Sequence, residues 1–394
     1  MALKDRVKQM AAEISSDIID IRRHLHRHPE LSFHELETSA FICKKLEEMG
    51  ISCQTMAGTG IAGTIRGGLG PGRVIALRAY MDALAIDDQK RTDYRSQSRG
   101  VMHACGHDAH TAMLLGVARI LKNLSPTFQG TVRLIFQPAE EILPGGAKQM
   151  IQEGALRDPE VDLVIGQHVA PHLPAGTVAV RKGRFMASMD EISVRVKGKG
   201  GHGAEPHKIT DPVLAASTII VVLQQLISRK NNPSIPSVLS FGKIAANGSF
   251  NIVPDEVLLE GTFRTMDEEW RAEALSHIRL MATSVAMGLG CECEVSIRNG
   301  YPSLFNPIVT ADKLITEMKH YLGEENVLDH PIWMASEDFA YYTREADSLF
   351  YLLGVGEEGR ETVPLHTSRF DINENAIETG MGVMAYLSLQ FLQP

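Results

Sequence analysis

The sequence predicts an α/β protein, a mainly parallel-sheet domain with a smaller α+β domain inserted into it. Three observations carry that reading. Between residues 61 and 165 candidate strands alternate with candidate helices, the pattern of a parallel sheet with both faces covered. Between about Gly183 and Asn299 the order changes to βαββαβ, that of a ferredoxin-like split unit. At 394 residues, the chain is also too long for one ordinary core. The expected division is 1–182 plus 300–394 as one domain and 183–299 as the other.

The elements follow in order. Val7, Ile14, Ile18, Ile21 and Leu25 recur at helical spacing, and the helix should end near His28-Pro29. His24, His26, His28 and His34 crowd that end, as a second metal site or as polar residues suited to a helix C-terminus. A second helix runs from about Leu36 to Met49 and closes on Gly50. Strands Ile61–Ile65 and Val74–Arg78 flank Gly67-Gly68-Leu69-Gly70-Pro71-Gly72, which lacks the Lys-Ser/Thr of a phosphate loop and reads as a hairpin turn. A helix from Ala109 follows, then strand Thr131–Gln137, helix Gly146–Glu153 and strand Val161–Ile165 ending in Gly166-Gln167-His168. In the inserted domain the strands are Glu191–Val196, Val238–Ile244, Val257–Arg264 and Glu292–Ile297, with helices Asp211–Ile227 and Glu268–Met287. Helices and a strand, Leu349–Val355, then resume.

A net charge of −9 argues against nucleic acid as a partner. No apolar run reads as long enough to span a bilayer, and the charged N-terminus lacks a signal-peptide core. The five cysteines are odd in number and scattered, as in a reduced, cytoplasmic protein without a disulfide framework.

The chemistry concentrates at strand ends, where an open α/β sheet keeps its ligands. Met102-His103-Ala104-Cys105-Gly106-His107-Asp108-Ala109-His110 packs a thiol, three imidazoles and a carboxylate between a strand and a helix. Thiolate and imidazole suit a transition metal. The same residues also suit a buried Cys with Asp108 as helix N-cap. Glu140-Glu141 can supply one ligand and one general base, or merely a solvated acidic loop. His168 ends a later strand, and His366 sits in a polar loop.

Arg22-Arg23-His24-Leu25-His26-Arg27-His28-Pro29-Glu30-Leu31, MHACGHDAH, FQPAEE, GQHVAP, GKGGHGAEPH, NIVPDEVLLEGTFRT, SEDFAYY and PLHTSRFD occur in that order across nearly all of the chain. Together they resemble the co-catalytic metallopeptidase family that contains aminoacylase, and within it the amidohydrolase branch of hippurate hydrolase and indole-acetyl-amino-acid hydrolases. The resemblance implies that Cys105, His107, Glu141, His168 and His366 hold two divalent ions (Zn²⁺, Mn²⁺ or Co²⁺) with Glu140 as general base. It implies that Asp82 orients the metal site and that His202 polarises the scissile carbonyl, in related dimers from the partner subunit. Asn251 and Arg264 match positions that hold the substrate's carboxylate. The inserted domain is then a lid and a homodimerisation unit. The implied reaction is metal-assisted hydrolysis of an N-acyl-amino acid, with a dipeptidase or N-acetyl-diaminopimelate deacetylase as alternatives.

One motif departs from the branch. Relatives read Arg-Ala-Asp-Met-Asp-Ala-Leu-Pro followed by Glu; here Tyr80, Ala85 and Asp88 replace the first Asp, the Pro and the Glu. Tyr80 removes a negative charge beside the expected cations, which suggests loosely held metal, impaired turnover or a purely binding role. Its ring needs room in the core or in the cleft.

Overall fold

The computed structural model describes residues 1–357 and 359–393. They form two compact units, one of Met1–Gly183, Phe305–Pro331 and Asp338–Pro394, the other of Arg184–Leu304 and Ile332–Glu337. Residues 300–304 and 332–337, counted on the sequence with the first domain, thus fold with the second. The bridge of Met186 with Trp333 explains the latter segment, because it ties a returning loop to the start of the inserted chain.

In the first unit, α1 (Leu3–Arg27) buries Val7, Ala11, Ile14, Ile18 and Leu25, together with Arg22 and His26. There follow α2 (Leu36–Glu48), β1 (Cys53–Met56), β2 (Gly60–Arg66), β3 (Val74–Tyr80), α3 (His107–Leu124), β4 (Thr131–Gln137), α4 (Gly146–Gln152), β5 (Leu163–Pro174) and β6 (Val178–Val180). β7 (Gly183–Met186) leads into the second unit, with β8 (Ser188–Lys197), β9 (Gly201–His202), α5 (Pro212–Gln225), β10 (Ser237–Ala246), β11 (Ile252–Val253), β12 (Glu256–Thr265), α6 (Glu268–Gly288) and β13 (Glu292–Asn299). After β14 (Leu304–Asn306) come α7 (Ile308–Leu322), β15 (Val327–Asp329), β16 (Asp347–Gly356) and α8 (Ala376–Phe391).

The first unit is built on an eight-stranded sheet ordered β1-β2-β4-β3-β5-β16-β6-β15. Its centre is parallel: β3 pairs in parallel with β4 and β5, and β16 with β5. Every residue of β3 is buried, as expected of a strand covered on both faces. α3 is buried along nearly its whole length, which explains its apolar sequence.

The sequence reading fails at the glycine cluster. β2 and β3 do not form a hairpin, because β4 lies between them, antiparallel to β2. The Gly67–Gly72 segment packs instead on the turn before β4, where Gly67 N–H donates to Gly130 O at 2.9 Å. A Cβ on Gly67 would stand 2.3 Å from Phe128 O, so close approach is what requires glycine there. β5 runs through His168 rather than ending before it. Cys43 and Cys53 form a disulfide joining α2 to β1, against the expectation of none. They stand 10 positions apart in the sequence, so the pairing is local and escapes a count of scattered cysteines.

The second unit has a four-stranded antiparallel sheet, β10-β12-β8-β13, covered by α5 and α6. In chain order that is the arrangement of a ferredoxin-like βαββαβ fold. One helical stretch, Pro212–Lys230, is long and apolar enough by composition to cross a membrane, contrary to the sequence reading. Its Ala215, Ala216, Ile219, Leu223 and Leu226 are nonetheless buried in the unit's own core.

Candidate metal centre

In the first unit the ends of β3 and β4, the start of α3, the middle of β5 and the loop before α8 converge. Gly106 caps α3 with φ of 76° and no side-chain cap, so Asp108 is not the N-cap. A Cβ on Gly106 would lie 2.6 Å from Val169 Cγ2. That glycine turns the chain so that Cys105 and His107 face the same space. Cys105 Sγ lies 3.3 Å from both His168 Nε2 and His366 Nε2. His366 Nε2 is also 3.3 Å from Glu141 Oε1.

Three groups of potential donor atoms lie within 4.8 Å of one another: Cys105 with His107 and His168, Cys105 with Glu141 and His366, and His107 with Glu140 and Glu141. The six residues expected from the sequence as ligands or base therefore form one connected cluster, linked through Cys105 and His107.

The partners behind these donors suit a metal. His107 Nδ1 lies 3.0 Å from Asp82 O and 3.1 Å from Asp82 Oδ1. His168 Nδ1 lies 2.8 Å from Val169 O. In each ring Nδ1–H donates backward, which presents Nε2 as the ligating nitrogen. Asp82 also accepts from Glu141 N–H at 3.0 Å and from the Ser32 hydroxyl at 2.7 Å. Burial pushes the Asp82 carboxyl up, but the His107 ring and these donors outweigh it and hold it down at about 2. One carboxylate thus orients an imidazole and the backbone of a neighbouring donor. Thiol, imidazoles and carboxylates in two groups sharing one sulfur are a fitting set for two divalent transition ions.

The backbone around the acidic pair is held in an uncommon conformation. Ala139, just before Glu140, has φ of 51°, and His366 has φ of 60°. Ala139 N–H donates to Glu35 Oε1 at 2.9 Å, and the Thr59 hydroxyl donates to Glu35 Oε2 at 2.6 Å. Burial raises the Glu35 pKa. His366 N–H donates to Ala104 O at 2.9 Å, tying its loop to the ligand turn. Non-glycine residues at positive φ mark positions that the surroundings over-determine.

Tyr80 is 0% exposed, so its ring has gone to the core and not into the cleft. It stacks on His107 with centroids 4.5 Å apart and planes 14° from parallel. The Arg78 guanidinium lies 3.5 Å from the ring centroid. Arg78 itself pairs with Asp338 and donates to Gln137 Oε1 at 2.8 Å. The positive charge that an acid at position 80 could have met is therefore answered by Asp338.

The second unit carries His202, Asn251 and Arg264. His202 and Asn251 adjoin, since Ile252 pairs with His202 across β11 and β9 and Gly203 N–H donates to Asn251 O at 2.9 Å. Arg264 lies toward the other end of β12 and donates to Met334 O at 2.9 Å. Burial lowers its pKa.

Several residues behind the site have roles that the sequence does not reveal. His110 Nε2 accepts from Val169 N–H at 2.9 Å, bracing the strand next to His168. Arg22, His26, Asp88 and Lys90 belong to an ion network under the His366 loop, which takes His26 out of a second metal site at the end of α1. Arg22 and His26 stand one turn apart on the buried stripe of α1. Charged side chains on an apolar stripe were the available signal.

Comparison with known proteins finds relatives along nearly the whole chain. Residues 76–390 match the model of peptidase family M20/M25/M40. The N-acetyl-L-cysteine deacetylase of Bacillus subtilis is 39% identical over 368 residues, 92% of this chain and 85% of that protein. The N-acyl-L-amino acid amidohydrolase of Geobacillus stearothermophilus is 39% identical over 77% of this chain and 81% of that one. The crystal structure of the Bacillus subtilis YXEP protein, a dinuclear metal-binding peptidase from the M20 family, superposes with a TM-score of 0.83 at 35% identity, over 97% of this chain and 99% of that one.

Proposed function

The chain belongs to peptidase family M20/M25/M40, and from that premise we propose that it is a metal-dependent amidohydrolase of N-acyl-amino acids. The observation that carries the reading is the convergence of Cys105, His107, Glu140, Glu141, His168 and His366 in the first unit. Cys105, His107, Glu141, His168 and His366 would hold two divalent ions, Zn²⁺, Mn²⁺ or Co²⁺. When bound, such a pair acidifies water and polarises the amide carbonyl.

The chain's own groups do the rest. Glu140 takes a proton from the attacking water and delivers it to the leaving amine nitrogen, so one carboxylate serves both halves of the reaction. Asp82 keeps the His107 ring oriented while charge develops. His202, supplied by the second copy, donates to the carbonyl oxygen as negative charge develops on it. The Arg264 guanidinium of one copy and the Asn251 amide of the other, which stand at opposite ends of β12 within a single chain, hold the substrate's carboxylate, a task that suits a planar fork.

The second unit serves as lid and as the contact between two copies. β10 is an edge strand, and Leu214, Val221 and Ile244 of this unit are 57%, 71% and 63% exposed. An unpaired edge beside exposed apolar side chains suits a two-fold pairing of identical sheets.

Tyr80 does not argue for a purely binding role. Its ring lies in the core, and Glu140 remains beside the donors, where a binding protein needs no base. The test is a panel of N-acetyl- and N-benzoyl-amino acids and dipeptides incubated with the protein, with and without chelator. Release of free amino acid from the N-acyl substrates, stopped by chelator and restored by Zn²⁺, Mn²⁺ or Co²⁺, is expected. Preference for dipeptides would move the assignment to a peptidase, and no hydrolysis with any of these ions would overturn it.

A further inference from the structure

Beneath the His366 loop lies a group of charges that the reaction does not use. Arg22, 0% exposed, forms ion pairs with Asp108 at 2.7 Å, Asp371 at 2.7 Å and Glu374 at 3.2 Å. His26, equally buried, has Nδ1 2.7 Å from Asp108 Oδ2. Lys90 Nζ lies 2.8 Å from His26 Nε2 and donates to Phe370 O at 2.8 Å. His26 Nε2 is also 3.2 Å from Asp88 Oδ2. The shorter Lys90 contact makes that nitrogen an acceptor, with Nδ1–H donating to Asp108. Asp88 is then satisfied by the backbone N–H groups of Ser96 and Lys90, both at 3.0 Å. Tyr94 donates its hydroxyl to Asp371 Oδ2 at 2.8 Å, and Gln89 N–H donates to Ser368 O at 2.8 Å.

Asp108 follows His107 on α3. Asp371, Phe370 and Ser368 belong to the loop that carries His366. Arg22 and His26 stand on α1, and Asp88, Gln89, Lys90 and Tyr94 on the segment after β3. Ser368, Phe370 and Asp371 are thus held from below by buried ions and backbone bonds. The half-exposed His366 above them has no regular element of its own and a backbone at positive φ. A buried network broken at one member leaves an uncompensated charge, so its members hold one arrangement together.

We propose that the Lys90–Arg22 network is the positioning device of the His366 loop, fixing that residue against Cys105 and Glu141 so that the second of the two ions is held. The inference rests on the assignment of His366 as a metal ligand above. It gives a use to the Arg-Arg-His-Leu-His stretch of α1 and to Asp88, which lies in the network rather than at the site. Lys90 and Arg22 are positioning residues, since neither touches the reacting atoms.

The test is a Co²⁺ titration of chelator-treated full-length protein, followed by d–d absorption, for the wild type, Lys90→Met and Tyr94→Phe. Wild type should take up two ions in resolvable steps. Lys90→Met should weaken one step by about 10–100-fold, the usual cost of losing an outer partner of a metal ligand, and leave the other unchanged. Tyr94→Phe removes a single, partly buried bond and should weaken the same step less. If Lys90→Met lacks a cooperative thermal transition, Tyr94→Phe decides alone. Two unchanged steps, or equal weakening of both, overturn the inference and leave the proposed function standing. A wild type that takes up fewer than two ions overturns both.

Discussion

The two donor groups that meet at Cys105 are built differently. Cys105, His107 and His168 are between 0 and 7% exposed. His107 and His168 sit on α3 and β5, with Nδ1 anchored to Asp82 and to Val169 O. Glu141 and His366 come from loops, and the His366 side chain is 53% exposed. The first group is held by secondary structure and the second by what lies beneath it. Donors on regular elements are preorganised, whereas loop donors owe their geometry to a supporting shell. The buried group should therefore bind its ion more tightly, and the open group should be where exchange occurs.

Variants at Glu140 separate the base from the donors and should show the largest effect. Glu140→Gln is expected to lower turnover by about 10²–10⁴-fold while metal content measured by atomic absorption stays at the wild-type value. Loss of metal along with turnover would place Glu140 among the ligands.

His366→Ala tests the asymmetry itself. It should abolish binding of the open group's ion and spare the other, whereas His107→Ala should abolish the tighter-bound ion of the buried group, whose donors are Cys105, His107 and His168. Loss of the same ion in the two variants would contradict the division into a buried and an open side.

Asp82 connects the sides, and its effect depends on pH. Its folded pKa of about 2 lies below the ordinary 3.8. The stabilisation it lends is therefore complete above pH 3.8 and disappears as pH falls through about 2, amounting to on the order of 2 kcal/mol. Urea unfolding of the metal-free protein between pH 2 and 5 should show that slope in the wild type, flattened in Asp82→Asn.

The smallest effect is expected at Tyr80. Tyr80→Leu keeps an apolar filler but loses the stack on His107, costing metal affinity about 3–10-fold, the worth of one aromatic contact. Tyr80→Phe should lose less. Since Asp338 already answers Arg78, Tyr80→Asp has no charge waiting for it and should not raise metal affinity. A large gain in Tyr80→Asp would restore the electrostatic expectation drawn from the sequence.

Much of the fold was legible because punctuation and periodicity are local signals. β4 runs from Thr131 to Gln137 as its turn residues and apolar run indicate. The order of elements in the second unit follows from alternating period-2 and period-3.6 stretches. What failed was non-local. Whether β2 pairs with β3 or with β4 depends on register across the sheet, which neither strand records. On the sequence His168 reads as a strand exit, yet β5 continues for six residues beyond it, to Pro174. The donors were legible at strand ends and, for His366, only through the ordered set of motifs. The ion network was not, because Arg22 finds Asp371 and Glu374 from the far end of the chain.

The central claim is that turnover requires both donor groups to be filled. The direct measurement is hydrolysis of an N-acetyl-amino acid by chelator-treated protein as Co²⁺ is added in fractions of an equivalent. Activity that rises chiefly with the second equivalent and levels at two ions per chain is the expected result. Full activity at one ion, or hydrolysis indifferent to metal, would contradict it.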